Sequence, residues 1–185
     1  MINDHQINPY SIPSLISAIL TLFSGLIVFY NNRKSYSNQT FFKLCLATTT
    51  WLSFYSINYM IEGSNPKLVY EFTKFAYCGV CFISVFYFEH TIAILNLKQY
   101  RFWITLNYVW GIVVSLLIYK TDLIICGLYK FFWGLYPKAG ALHPFFLGYF
   151  CFIVTFSLLL HMLLSNITSW ILISLLRKAP CILFL

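Results

Sequence analysis

The chain has 185 residues, of which 60% are hydrophobic and only 9% are charged. Because a soluble domain carries about 25% charged residues, this composition excludes an ordinary globular surface, and with it a soluble catalytic domain. The formal net charge of +7 comes from 12 Lys and Arg residues spread thinly between apolar runs. That pattern is typical of a chain whose partner is a lipid bilayer, and it lacks the basic stripe of a nucleic-acid-binding protein.

Five apolar runs predict membrane-spanning helices, since a crossing needs roughly 20 apolar residues. They cover residues 14–30, 41–61, 75–95, 103–119 and 144–164. A shorter stretch, residues 169–176, either extends the fifth helix or begins a further element. We therefore expect an all-α fold, a polytopic membrane helix bundle of about five transmembrane helices that forms a single membrane domain over residues 1–185.

Positively charged residues set the expected orientation, because Lys and Arg are enriched in cytoplasmic connections. One set of connections carries seven of them and no acidic residue: Arg33, Lys34, Lys43, Lys98, Arg101, Arg177 and Lys178. The other set carries five, accompanied by acidic residues: Lys67, Lys74, Lys120, Lys130 and Lys138. This bias predicts an N-terminus outside and a C-terminus inside, with residues 120–143 forming an outer loop.

The outer loop is rich in aromatic residues, which suit the membrane–water interface, so we expect it to lie partly among the headgroups. Its last part allows sharp turns through glycine and proline, and it places lysine and histidine donors just outside the bilayer. The candidate site residues here are Trp133, Gly134, Tyr136, Pro137, Lys138, Gly140 and His143. Two interpretations stay open, a site for an anionic or amphiphilic ligand and a purely structural loop that leads into the fifth helix.

Glu89 is the only acidic residue within an apolar run. It lies about six residues from the inner end of that run, or roughly 9 Å deep at the rise of an α-helix. Ionisable groups in a membrane are costly and face a bundle interior or a cavity. Candidate neighbours at similar depth are Asn107, His161 and His90. We expect a Glu89–His161 pair, acting either as a proton-sensitive or ligand-sensitive switch or as a structural polar anchor.

Metal, cofactor and catalytic signatures are not evident in the sequence. The four histidines fall on both predicted sides of the membrane, and no helical metal-binding pair is present. The Cys78-x-x-Cys81 spacing lies inside an apolar run, where two small packing residues are the better interpretation. We therefore expect no cofactor, no metal and no catalytic residue, so the chain is not predicted to be an enzyme.

The outer loop resembles that of the seven-helix N-terminal sensor region found on many bacterial histidine kinases and diguanylate cyclases, whose pattern is roughly G-x-Y-P-K-A-G-x-L-H. Matching positions are Gly134, Tyr136, Pro137, Lys138, Ala139, Gly140, Leu142 and His143. A second stretch resembles the start of the family's third helix: Phe72, Lys74, Ala76, Tyr77, Gly79, Val80, Phe82, Ile83 and Phe86-Tyr87-Phe88. The resemblance covers about residues 12 to 165.

The resemblance implies a sensory input domain of a signal-transduction protein, such as a two-component system, in the bacterial cytoplasmic (inner) membrane. It also implies a fragment that lacks the family's last two helices and its output kinase or cyclase domain. Partners left open are a small amphiphilic or anionic ligand and a second copy of the chain. The alternatives are a small transporter or channel component, and a membrane enzyme using Glu89 with His90 or His161.

Overall fold

The computed structural model describes residues 8–61 and 65–178, with side chains as far as residue 164. Residues 179–185, which follow the last predicted helix, lie outside the described residues, so the prediction of a fragment is not addressed there. Within the described residues the chain forms five α-helices and one β-hairpin. The elements are α1 (Ser11–Asn31), α2 (Tyr36–Ile61), α3 (Pro66–Ile94), a 3₁₀ turn (Lys98–Tyr100), α4 (Arg101–Lys120), β1 (Ile125–Phe131), β2 (Gly134–Ala139) and α5 (His143–Lys178).

The helices pack side by side around α3, which contacts α2, α4, α5 and the hairpin. Half of the candidate membrane span in α3 is buried, against 11% of the spans in α1 and α5. Gly79 lets α3 approach α2 closely, since a Cβ at this position would lie 3.0 Å from the Trp51 amide nitrogen. α3 is therefore the central helix, and the positions of its side chains decide which groups meet.

Within the described residues, four helices are long and apolar enough to cross a membrane: α1, α3, α4 with its preceding 3₁₀ turn, and α5 as far as Leu164. α2 has 26 residues but is less apolar, because it carries a run of three threonines together with Ser53, Ser56 and Asn58. The predicted helical bundle is thus confirmed at the level of helices and membrane-compatible composition.

All five helices begin before the apolar runs that predicted them, and two of them do so by five residues or more. α3 starts at Pro66 rather than at residue 75, and the Asn65 side chain caps it by accepting hydrogen bonds from the Lys67 and Leu68 amides. α2 starts at Tyr36 rather than at residue 41. The length of an apolar run reflects the thickness of the hydrocarbon layer. A helix can extend beyond that layer through polar turns at either end, so it can be longer than the run. The backbone of α5 continues to Lys178, so residues 169–176 extend the fifth helix.

The outer loop is the main departure from an all-α fold, because it contains a two-stranded antiparallel sheet. Phe131 pairs with Gly134, which leaves Phe132 and Trp133 as the turn. Gly134 has a φ of 149°, a value that other residues rarely adopt. Pro137 is tolerated in β2 because both strands of a two-stranded sheet are edges, so one of its sides needs no amide donor. The hairpin was not among the predicted elements, which were all helical.

Candidate functional site

The bundle brings three polar side chains together around Glu89, which is 3% exposed. Its Oε1 accepts hydrogen bonds from the Tyr36 hydroxyl at 2.8 Å and from the Lys43 ammonium at 3.0 Å. Its Oε2 accepts from the Tyr108 hydroxyl at 2.7 Å and again from Lys43 at 3.2 Å. The carboxylate therefore has a counter-ion and donors for both oxygens.

Antiparallel packing explains why residues from three helices meet here. Lys43 lies seven residues after the start of α2, Tyr108 seven residues after the start of α4, and Glu89 five residues before the end of α3. At the rise of an α-helix these positions are about 10, 10 and 8 Å from the respective helix ends. The start of α2, the end of α3 and the start of α4 lie together, and we call this the Glu89 end of the bundle.

The geometry fits both interpretations of Glu89, a structural anchor and a switch. Breaking a buried ion pair by removing one partner is strongly destabilising, because it leaves an uncompensated charge. The Lys43 side chain is 39% exposed while that of Glu89 is 4% exposed, so water can reach the cation more readily than the carboxylate. A change of charge at this group would alter three interhelical contacts at once.

The residues expected beside Glu89 have other neighbours. Among the described residues Glu89 forms no hydrogen bond or ion pair with His161, which is exposed; the expected Glu89–His161 pair was wrong, and Lys43 takes that place. His90 points to α2, where its Nδ1 lies 3.0 Å from the Thr40 hydroxyl. Asn107 is buried; it donates to the Trp103 carbonyl and accepts from the Tyr149 hydroxyl.

Asn107 and Tyr149 form a polar bridge beside an apolar groove between α4 and α5. The cavity has a volume of about 570 Å³ and is lined largely by aromatic residues, among them Trp103, Trp110 and Phe152. That volume lies within the range of roughly 300–1,000 Å³ typical of small-molecule sites. An apolar wall with one polar pair suits an amphiphilic molecule better than a charged one.

At the opposite end, which we call the hairpin end, the predicted loop residues separate into two groups. Trp133 stacks on Phe131 with ring centroids 4.7 Å apart, and Lys138 lies over the Tyr129 ring at 5.6 Å. Tyr136 pairs with Tyr129 across the strands, and both side chains are exposed. These residues form an exposed aromatic and basic face on the hairpin, with Phe132, which is 87% exposed, at its tip.

The other group fixes the hairpin to the bundle. Gly140 donates its amide to the Ile124 carbonyl at 2.9 Å, and a Cβ at this position would lie 2.6 Å from the Asp122 carbonyl oxygen. The His143 Nδ1 lies 3.3 Å from the Ile124 carbonyl oxygen, and its ring contacts Tyr77 of α3. Gly140 is therefore required by close packing, and His143 makes structural contacts.

Sequence reasoning missed the groups by which α3 holds this loop. The Tyr70 hydroxyl lies 2.7 Å from Oδ1 of Asp122 and 2.8 Å from the Ile125 carbonyl oxygen, and the Lys74 ammonium lies 3.5 Å from Asp122. The hydrogen bond from Tyr70, assisted by the charge of Lys74, lowers the pKa of the Asp122 carboxyl below its ordinary value. The signal available in the sequence was weak, since Tyr70 and Asp122 both lie near the ends of apolar runs.

Among the described residues, no group of three His, Cys, Asp or Glu side chains could hold a metal ion. No protein-family model, curated protein or solved structure matches this chain.

Proposed function

We propose that this chain is the membrane-embedded sensory input region of a bacterial signal-transduction protein. The proposal includes five crossings of the cytoplasmic membrane, an N-terminus outside and a C-terminus inside, with output through a histidine kinase or cyclase. Its support is the Gly134–His143 loop pattern, the charge bias of the connections and the four apolar helices.

The proposed fifth crossing rests on the position of α2. α2 packs against α1 on one side and α3 on the other, and only residues 32–35 separate it from α1. A helix of 26 residues is about 39 Å long, more than the roughly 30 Å of a hydrocarbon core. Its polar side chains Thr40, Ser56 and Asn58 are buried, so contact with neighbouring helices offsets its lower apolar content.

The observation that carries the sensory proposal is the continuity of α3 between two polar clusters. Near its first residues Tyr70 and Lys74 hold Asp122 of the hairpin, and near its last residues Glu89 holds α2 and α4. A displacement of the hairpin would therefore act on a helix that also bears the Glu89 cluster. A ligand drives such a change only through different affinities for the two states.

The stimulus proposed is a small amphiphilic or anionic molecule, and two surfaces suit that chemistry. The exposed hairpin face presents Lys138 beside Tyr129 and Tyr136, and the groove between α4 and α5 offers an apolar wall beside Asn107. A second copy of the chain is a further proposed partner, since sensory helices commonly act by changing their packing against a neighbour.

A chimeric reporter tests the proposal. Joining α5 to the last two helices and the cyclase domain of a protein with the seven-helix architecture makes cellular cyclic di-GMP the readout. Tyr70→Phe and Glu89→Gln should each shift the output at equal protein abundance. The first removes the hydroxyl that binds the hairpin segment at one end of α3, and the second removes the charge that pairs with Lys43 near its other end. Tyr119→Phe, at an exposed position near the end of α4, is the matched control and should leave the output unchanged.

An output identical in all of these variants would count against a sensory role. Solute flux through proteoliposomes that contain the purified chain would instead favour the alternative of a small transporter or channel component. The two assays are independent, so a negative result in the reporter leaves the flux measurement informative.

A further inference from the structure

A second cavity opens at the Glu89 end, between the start of α2, the end of α3 and the start of α4. It has a volume of about 570 Å³, and the residues that define its chemistry are Tyr36, Ile92, Asn96, Lys98, Arg101 and Thr105. The groove between α4 and α5 has the same volume but an almost wholly apolar lining. We call this second cavity the basic pocket, because its lining includes two cations and no acidic residue.

The two cations lack an acidic partner within the described part of the chain. The ion pairs found there are Lys43–Glu89 and Lys74–Asp122, and they involve neither Lys98 nor Arg101. Glu89, the nearest buried acid, is already bound by Lys43 and two tyrosines. Lys98 and Arg101 are three residues apart where the 3₁₀ turn runs into α4, a spacing that places side chains on the same face.

The backbone around the basic pocket also favours an anion. The amides of Leu95, Asn96 and Leu97 bind the carbonyls of Thr91, Ala93 and Ile92, so these terminal carbonyls of α3 are already satisfied. Asn96, with a φ of 52°, turns the chain there, and α4 then begins with its N-terminal end at the pocket. The N-terminal end of a helix carries partial positive charge, which attracts anions.

We propose that the basic pocket binds a phosphate group, with Lys98 and Arg101 as its cationic ligands. The planar guanidinium of Arg101 can bind two phosphate oxygens at once, whereas Lys98 supplies a compact charge. Exposed Phe102 and Trp103 adjoin the pocket on α4, which places it at the level of lipid headgroups in the proposed membrane. Basic pockets between membrane helices bind anionic lipid headgroups, and a free phosphate shares the same chemistry.

The pocket adjoins the Glu89 cluster through one residue. Tyr36 lines the pocket together with Arg101 and donates its hydroxyl to Glu89. A bound phosphate would neutralise Arg101 in the pocket that Tyr36 also lines. Phosphate binding does not depend on the proposed sensory role.

Native mass spectrometry of the purified full chain tests the proposal. In neutral detergent with equal amounts of phosphatidylglycerol and phosphatidylcholine, the wild-type protein should retain phosphatidylglycerol preferentially. The Lys98→Gln/Arg101→Gln variant should lose that preference by about five-fold per cation and about 25-fold in all. Arg33→Gln/Lys34→Gln is the matched control, because it removes the same charge at the same end outside the pocket, and its preference should stay within about two-fold of wild type.

A second measurement with inorganic phosphate alone distinguishes a lipid headgroup from free phosphate as the ligand. If wild type shows no lipid preference but binds phosphate, and the pocket variant does not, the proposal stands with free phosphate as the ligand. An equal loss in the pocket and control variants would overturn it, since that result indicates diffuse surface attraction. Absence of both lipid preference and phosphate binding in wild type would also overturn it.

The Lys98→Arg/Arg101→Lys variant is the control for a folding defect, because it keeps both charges and should retain binding. All variants should match the wild-type helical content by circular dichroism. Because the readout is the mass of a bound molecule, this test can fail while the signalling chimera responds, and it can succeed while the chimera is silent.

Discussion

Replacing Lys43 with methionine removes the counter-ion of Glu89 while keeping most of the apolar stem. In the wild-type protein the Lys43 ammonium contacts both carboxylate oxygens, at 3.0 and 3.2 Å. The variant leaves Glu89, which is 3% exposed, with only the hydroxyls of Tyr36 and Tyr108. We expect a loss of stability, because the buried carboxylate keeps no cationic partner.

The expected loss of unfolding free energy follows from the exposed fractions of the Lys43 and Glu89 side chains. Removing one partner of a fully buried ion pair costs about 3–5 kcal/mol. The Lys43 side chain is 39% exposed, and solvent screening reduces the contribution of an exposed ion pair to about 0–1 kcal/mol. An intermediate loss of about 1–3 kcal/mol is therefore expected, which corresponds to roughly a 5-fold to 150-fold change in the unfolding equilibrium.

A double-mutant cycle separates the ion pair from other effects. Unfolding free energies would be measured by denaturant titration in micelles for wild type, Lys43→Met, Glu89→Gln and the double variant. The double variant should be more stable than the sum of the single losses predicts, by about 1–2 kcal/mol, because it leaves no charge unpaired. Additive losses within about 0.5 kcal/mol would refute the reasoning, since they would mean that Lys43 and Glu89 do not interact.

Three further predictions concern the hairpin end and the groove. Gly140→Ala should destabilise the hairpin by about 1–3 kcal/mol, because its Cβ would collide with the Asp122 carbonyl; faster proteolysis between residues 125 and 139 would show it. Tyr149→Phe removes the donor to Asn107 and should cost about 1–3 kcal/mol in the same denaturant titration. The lowered pKa of Asp122 predicts that its contribution to anchoring the loop is complete above about pH 4 and is lost as the pH falls through the folded-state value. Fluorescence of Trp133 in a variant without other tryptophans should follow that loss, and Asp122→Asn should abolish the pH dependence.

The helices could be predicted from apolar runs, but their ends could not. The segment from Pro66 to Lys74 carries Lys67, Glu71 and Lys74, so it fails an apolar criterion although Asn65 caps a helix there. A capping asparagine followed by proline is a helix start signal, and greater weight on it would have placed the start of α3 correctly. The prediction of helix ends lacked information about capping residues, which hydropathy does not contain.

Glu89 could be identified from sequence as an unusual buried group, but its partner could not. Lys43 was counted among the residues of an inner connection, because it lies close to the start of the second apolar run. α2 begins at Tyr36, which moves Lys43 two turns into the helix and to the level of Glu89. The error in the helix boundary therefore caused the error in the pairing, and His161 was chosen for its depth alone.

The hairpin was missed because its turn lacks the usual signal. Two-residue hairpin turns favour Asn-Gly or Asp-Gly, which tolerate positive φ, whereas this turn is Phe132-Trp133 followed by Gly134. The aromatic residues were interpreted as interfacial, and that property is compatible with a β-hairpin as well as with an irregular loop. Composition alone could not distinguish the two, because the strands have only one packed face.

In the structure, some residues of the Gly134–His143 pattern pack against the bundle and others are exposed on the hairpin. Gly140 and His143 contact backbone of residues 122–124, so their identities are explained by docking without any ligand. Lys138 and Tyr136 are exposed and contribute little to that docking, so packing alone does not explain them. A ligand that binds the hairpin would therefore contact the exposed part and act on the bundle through the docked part, where Tyr70 and Lys74 of α3 hold Asp122. Substitutions at Lys138 should accordingly change ligand affinity, and substitutions at Gly140 should change the response at a given occupancy.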